Sequence, residues 1–284
     1  MVTAIAFGAW IWYGLSRMRK KPRNTPAWFL RHRSKSSDKQ IIVLVGDSIT
    51  QGTASASYAD LVAHQLGPER FVVVNAGIDG EMARDVLQRL DEIVACEPDV
   101  ITLLIGTNDA SFELSRNLVP HVIQRYSFPE DAGADRFRTD LGQIVRTLPA
   151  HCAPRTRARI ALLSLPTLGE RLDHPALDRS TAYSEIIRDV AREHGVAYLA
   201  LHEAMVAYLE THPIVSAPPY ERWIHTMASM YVKRYLFGRR PDAVAADHGF
   251  LLHVDHLHLN DKGAAMVADF IVDYVTASCP AKNS

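Results

Sequence analysis

An open parallel β-sheet with helices on both faces is the fold class this sequence predicts, and three observations predict it. Four continuous apolar, β-branched runs recur along the chain: "QIIVLVG" from Gln40, "RFVVVNAG" from Arg70, "PDVITLLIG" from Pro98 and "ARIALLSLP" from Ala158. Runs of this kind suit strands buried on both faces rather than strands with one wet side. Helical periodicity separates them, and strict alternation of strand and helix argues for right-handed crossovers within one sheet. Finally, three of the runs stop at polar or glycine-bearing turns, Gly46-Asp47-Ser48, Asn75-Ala76-Gly77 and Gly106-Thr107-Asn108-Asp109. Ligands of open α/β sheets sit beyond the carboxyl ends of the strands, where such turns lie.

Taken in order, the chain begins with residues 2–15, "VTAIAFGAWIWYGL", uncharged and apolar, followed directly by "RMRKKPR". A secretory signal carries its positive charge before the apolar stretch and a small-residue cleavage site after it, and this segment has neither. It is shorter than the ~20 residues a spanning helix needs, but its tryptophans and basic flank suit an interface. Residues 1–23 therefore read as a short membrane anchor with a basic cytoplasmic flank, which places the rest of the chain inside; a helix packed on the fold is the alternative. Residues 24–39, polar and basic with Pro26 and several serines, read as a linker. The folded domain is expected over residues 40–279. Helices are expected at 58–66, 81–95, 134–148 and 177–194, with a weaker fifth strand in "VAYLAL" at 196–201. Residues 202–250 interrupt the alternation and read as an insertion. Within it Trp223, Met227, Met230 and Tyr231 fall on one helical face, which either packs on the fold or forms a lid over the site, close to the membrane given Lys233, Arg234, Arg239 and Arg240. The last helix should start near Asn260 or Asp261.

Composition narrows the function classes. The 284 residues are 48% hydrophobic and 22% charged, enough for a sizeable core, and the net charge of -1 gives no basic excess for nucleic acid. Cys96, Cys152 and Cys279 are far apart and odd in number, so no disulfide frame or zinc site is suggested, and buried thiols are expected.

A serine hydroxyl is a poor nucleophile until a neighbouring base takes its proton, so Ser48 at a strand end needs a histidine. Of the 13 histidines, the cluster "HVDHLHLN" at residues 253–260 stands out, because Asp255 and His258 sit three apart just before the last helix. In a turn, that spacing lets the carboxylate accept the Nδ1 hydrogen of the same imidazole and leaves Nε2 for the serine. An oxyanion needs donors, and the N–H of Ser48, the N–H of Gly77 and the side-chain NH₂ of Asn108 are three candidates. Asp47 reads as structural, through side-chain bonds to its own loop, and Asp109 as a supporting residue of the turn that carries Asn108. Ser48 alone would equally suit an N-cap, and Gly77 a turn.

Together, "GDSIT", "NAG", "GTND" and "DHLH" in this order resemble the SGNH, or GDSL-type, serine hydrolase family over most of residues 40–278. The resemblance implies a flavodoxin-like three-layer α/β/α sandwich, with a central parallel sheet of about five strands. It also implies a serine esterase or lipase-like activity on small-molecule acyl esters, without metal or organic cofactor. By the same resemblance Ser48 is the nucleophile, His258 the base and acid, Asp255 its orienter, and Ser48, Gly77 and Asn108 the oxyanion hole. An acyltransferase would use the same site. Two readings from other classes stay open: a flavin-binding module, since "SITQGT" is a hydroxyl-rich loop after the first strand, and a metal site built from His253, Asp255, His256 and His258. Oligomeric state is not legible.

Overall fold

The computed structural model describes residues 22–33, 38–118, 131–151, 158–212 and 217–277 of the chain. Its first element is α1 (Pro26–His32), followed by β1 (Gln40–Gly46), α2 (Ser48–Gln51), α3 (Tyr58–Leu66), β2 (Phe71–Gly77), α4 (Ala83–Gln88), α5 (Leu90–Ala95) and β3 (Val100–Leu104). Then come α6 (Thr107–Leu118), α7 (Ala134–His151), β4 (Arg159–Leu163), α8 (Pro175–His194), β5 (Ala197–Leu199) and α9 (Leu201–Thr211). A 3₁₀ turn (Tyr220–Arg222), α10 (Trp223–Tyr231), one π-helical stretch (Val232–Leu236), α11 (Pro241–His248) and α12 (Asp261–Ala277) complete it. All strand pairs are parallel, in the order β2-β1-β3-β4-β5. That is the flavodoxin-like doubly wound order, whose switch point lies between β1 and β3.

Strict alternation along each strand divides the core in two. Ile41, Val43 and Val45 of β1, with Ile101 and Leu103 of β3, pack on α4, α5, α7 and α8 through residues such as Val86, Ile93, Ile144 and Ile187. Ile42 and Leu44, with Val100 and Leu104, face α3, α9 and α12 through Tyr58, Val62, Met205, Val267 and Ile271. Both faces are covered, which is why the strand runs carry no polar alternation. Each fully buried side chain of this size stabilises the fold by roughly 1.5–3 kcal/mol before entropy is counted.

The sheet register sets up one rim. Gly46 pairs with Gly77 on one side and Leu104 on the other, so β1, β2 and β3 end level with one another. The turns that follow all open at that edge.

Three expectations differ from the fold. The stretch expected as a linker contains α1, capped by the Thr25 side chain and seated through buried Phe29. Asn24 adds to the edge of β2: its carbonyl accepts from Asn75 N–H at 2.8 Å and its side-chain amide donates to Val73. The single helix expected over residues 81–95 is two, broken at Arg89, whose guanidinium reaches back to the Ala76 carbonyl at 2.7 Å and pairs with Glu81 and Glu92. The expected insertion begins too early, because Leu201, Met205 and Leu209 of α9 belong to the core of the second face. The apolar stretch 2–15 and the basic residues 17–21 lie outside the described residues, as do Cys152 and Cys279; Cys96 is a buried free thiol. Among the described residues, no helix is long and apolar enough to cross a membrane.

Candidate active site

One residue, Asp47, separates Ser48 from β1. The cap of α2 is Asp47, whose Oδ1 accepts from Ile49 N–H at 2.9 Å. Ser48 is thus the first helical residue, and its Oγ is left free of capping duty. That oxygen lies 3.1 Å from His258 Nε2. For α2 to sit down on the sheet ends, Gly77 must have no side chain, since a Cβ there would come within 2.3 Å of Gln51 N.

The histidine comes from a closed turn. An antiparallel bridge pairs His253 with Leu259, and Val254 N–H donates to the His258 carbonyl at 2.8 Å. Inside the turn, Asp255 Oδ1 accepts from Leu257 N–H and His258 N–H at 2.7 and 2.8 Å, while Oδ2 lies 2.9 Å from His258 Nδ1. A carboxylate only accepts, so Nδ1 carries the hydrogen and Nε2 is the acceptor for the serine hydroxyl. One side chain shapes the turn and orients the ring. The turn is tied to the serine loop as well, through Leu259 N–H to Ser55 Oγ at 3.0 Å and Ala56 N–H to the Leu259 carbonyl at 2.8 Å.

Gly77 and Asn108 part company. The Gly77 N–H donates to Asn75 Oδ1 at 3.0 Å, within the strand-end turn, so it is not aimed at Ser48. Gly80, three residues on, lines the cavity with Ser48, Asn108 and His258. Asn108 gives one amide hydrogen to the Glu81 carbonyl at 2.8 Å and keeps the second. Asp109 is buried, and its Oδ2 accepts from Ala83 N–H at 3.2 Å, pinning α4 to α6.

Electrostatics sort these groups. For Asp255, burial opposes ionisation, but the imidazole of His258 and two backbone N–H groups outweigh it and hold the carboxyl down at about 2. Burial would likewise lower His258, yet the charge and hydrogen bond of Asp255, with Asp79 and Asp47 further off, raise it above the ordinary histidine value. Burial pushes Asp47 and Asp109 up to about 7.

The cavity beside Ser48 encloses about 280 Å³. Ile49, Phe112, Trp223, Met227, Tyr231 and Leu257 give it apolar walls. The helical face expected from the sequence is therefore divided: Trp223, Met227 and Tyr231 border the cavity, while Met230 is buried with Ala54, Val244 and Val254. Tyr235, in the π-helical stretch, accepts from Ala54 N–H at 2.9 Å and anchors this wall to the serine loop.

The other sequence readings meet different surroundings. His253 turns to Glu170, and His256 packs against Phe250 and Tyr220. Among the described residues no cluster of histidine, cysteine or acidic groups is placed to hold a metal ion. In the hydroxyl-rich loop that left a flavin-binding module open, Thr50 accepts from Tyr58 OH and Thr53 from Gln51, so both hydroxyls serve the fold. Glu170, Gly80 and Ser55 were not singled out by the sequence. Glu170 lies past the carboxyl end of β4, and applying the strand-end rule to that run would have drawn attention to it.

The model of the GDSL-like lipase/acylhydrolase family matches residues 44–266. Solved structures share the fold. A lipase/acylhydrolase from Enterococcus faecalis superposes with a TM-score of 0.56 at 22% identity, covering 86% of this chain and 100% of that one. The acetyl xylan esterase AlAXEase gives 0.58 at 21% identity, over 83% and 99%. The acetylxylan esterase Axe2 from Geobacillus stearothermophilus gives 0.56 at 18% identity, over 86% and 97%. No curated protein matches the sequence. The protein is an ester-hydrolysing enzyme on a three-layer α/β/α sandwich. It belongs to the GDSL-like lipase/acylhydrolase family.

Proposed function

We propose that the chain is a serine esterase that cleaves small to medium acyl esters through an acyl-enzyme on Ser48. The observation that carries this reading is the unbroken chain of hydrogen bonds from Ser48 Oγ to His258 Nε2, 3.1 Å, and from His258 Nδ1 to Asp255 Oδ2, 2.9 Å. As Ser48 Oγ attacks the ester carbonyl, its proton passes to Nε2, and the imidazolium is stabilised by Asp255. The same proton then goes to the departing alcohol oxygen, leaving acyl-Ser48. Water, giving its proton to Nε2 in turn, hydrolyses that ester and restores the serine.

The oxyanion that forms in each half is met by three donors. Ser48 N–H opens α2 and has no acceptor within the helix. Gly80, on the cavity wall, takes with its N–H the place expected for Gly77, whose hydrogen is already donated to Asn75. The second hydrogen of the Asn108 amide completes the set. No metal or organic cofactor enters these steps.

The acyl group fits the apolar cavity between Phe112 and α10. Its volume, about 280 Å³, is near the lower end of ligand pockets, which run from ~300 Å³ upward, and this favours a compact ester. A panel of p-nitrophenyl esters of rising chain length tests the reading, together with mass detection of a fluorophosphonate adduct. Wild type should turn over the short and medium members and label once on Ser48, and Ser48→Ala should do neither. Parental turnover by Ser48→Ala would end the proposal.

A further inference from the structure

Glu170 is a fully buried carboxylate that the proposed reaction does not use. It lies in the segment between β4 and α8, and its hydrogen bonds all go to the chain just ahead of Asp255. Oε2 accepts from Leu251 N–H at 2.7 Å; Oε1 accepts from Leu252 N–H at 2.7 Å and His253 N–H at 2.8 Å, and lies 2.9 Å from His253 Nδ1. Successive backbone N–H groups turned to one anion form a nest, a geometry that fixes the backbone torsions of the residues that make it. Next to Glu170, Gly169 N–H donates to the His256 carbonyl at 2.8 Å. Gly169 can do so because its φ is +71° and because a Cβ there would stand 3.2 Å from His256 Nδ1. Residues 169 and 170 therefore grip the 251–256 segment on both sides of Asp255. His258 follows two residues beyond the second grip.

A carboxylate taken wholly out of water is costly unless every lone pair is met, and apolar packing would hold a loop at lower cost. Here the charge is aimed at one target. We propose that Glu170 is a positioning residue for catalysis: its carboxylate, bound by residues 251–253, holds the following turn so that Asp255 and His258 stay aligned on Ser48. This rests on the reading of Ser48, His258 and Asp255 given above.

Glu170→Gln keeps the side-chain shape but presents an amide hydrogen to one of the backbone N–H groups. Turnover of a p-nitrophenyl ester is measured per active site titrated with a fluorophosphonate, so that unfolded protein is not counted. A slip of the turn should lower kcat per titrated site by ~10–10²-fold with little change in KM, since misplacement of reacting groups by 1 Å costs about that much. The acid limb of kcat/KM should also move to lower pH, because the raised pKa of His258 depends on its contact with Asp255. His253→Leu, which keeps the three backbone bonds, should give the same two changes in smaller measure, and it carries the test should Glu170→Gln fail to fold. An unchanged kcat per site with an unmoved acid limb, whatever the melting temperature, overturns the role of Glu170 alone. Esterase activity surviving Ser48→Ala would instead overturn the reading beneath it.

Discussion

Under the proposed function Asn108 carries two duties on one amide, and they can be measured apart. One hydrogen is spent on the Glu81 carbonyl, which ties the start of α6 to the turn after β2. The other, under the function proposed above, is reserved for charge that exists only while the ester carbonyl is tetrahedral. Asn108→Ala should therefore lower kcat by ~10²–10³-fold and leave KM nearly unchanged, the pattern of a donor that binds only the transition state. Loss of the Glu81 bond adds a separate cost in stability of ~0.5–1.5 kcal/mol. Parental kcat accompanied by that stability loss would assign Asn108 to structure alone. The convergence of Ser48, Asp255, His258 and Asn108 was legible because each sits at a strand end or helix entry where the proposed chemistry needs it. Gly80 was not, because "NAGIDG" offers two glycines. The hydrogen bond from Gly77 N–H to Asn75 and the place of Gly80 on the cavity wall distinguish them. Glu170 was hidden for another reason: besides the His253 ring, its partners are backbone groups 81 to 83 positions away, and backbone donors leave no mark in a sequence.

Among the elements, α10 lends Trp223, Met227 and Tyr231 to the cavity wall, and the proposed function makes it the gauge of what the site admits. Its Met227 is half-buried, borders the cavity, and rests against the small cluster of Ala54, Met230, Val244 and Val254. Met227→Ala should enlarge the acyl side of the site and shift the preferred p-nitrophenyl ester to a longer chain, while Met227→Trp should leave acetyl turnover and suppress the longer members. Each methylene accommodated or refused is worth roughly 1–3 kcal/mol of discrimination. Chain-length profiles unmoved by both substitutions would mean that the acyl group lies elsewhere. The buried strands were readable element by element, since a strand covered on both faces has to be apolar throughout. Elements set by tertiary contacts were less so. The break between α4 and α5 depends on Arg89 reaching the Ala76 carbonyl, and α1 depends on Phe29 and Asn24 finding β2, which no local pattern announces. For α9 the signal was present in Leu201, Met205 and Leu209, spaced by one helical turn each, but the aromatic and basic residues downstream drew the segment into an insertion.

At the scale of the whole molecule, the proposed triad and its buried neighbours pull stability and activity toward different pH. Between pH ~4 and 7 the unfolded chain has released the protons of Asp47 and Asp109, whereas the folded chain retains them up to about 7. The native state binds more protons over that interval, so their contribution makes stability fall as pH rises. His258, raised above its ordinary value, adds to the fall above pH ~6.5, since protonated His258 is favoured by folding and is lost as pH passes its folded pKa. Asp255 has the opposite sign. Held at about 2, it contributes stability that is present above its unfolded value of ~3.9 and lost as pH drops toward 2. Asp47, Asp109 and His258 thus favour the folded state on the acid side, against His202, His248 and His256, whose pKa values, lowered by burial, make stability rise with pH up to ~6.5, while the proposed turnover needs neutral His258. Asp47→Asn tests this directly, because an amide keeps the acceptor for Ile49 N–H and cannot ionise in its buried site. Relative to wild type, the variant should gain about 2 kcal/mol in unfolding free energy between pH 5 and pH 7, at ~1.4 kcal/mol per unit of pKa displacement with allowance for partial titration. Denaturant unfolding at a series of pH values gives the difference, and a gap that stays constant from pH 5 to 8 would show that Asp47 ionises in the native protein as freely as it does in the unfolded chain.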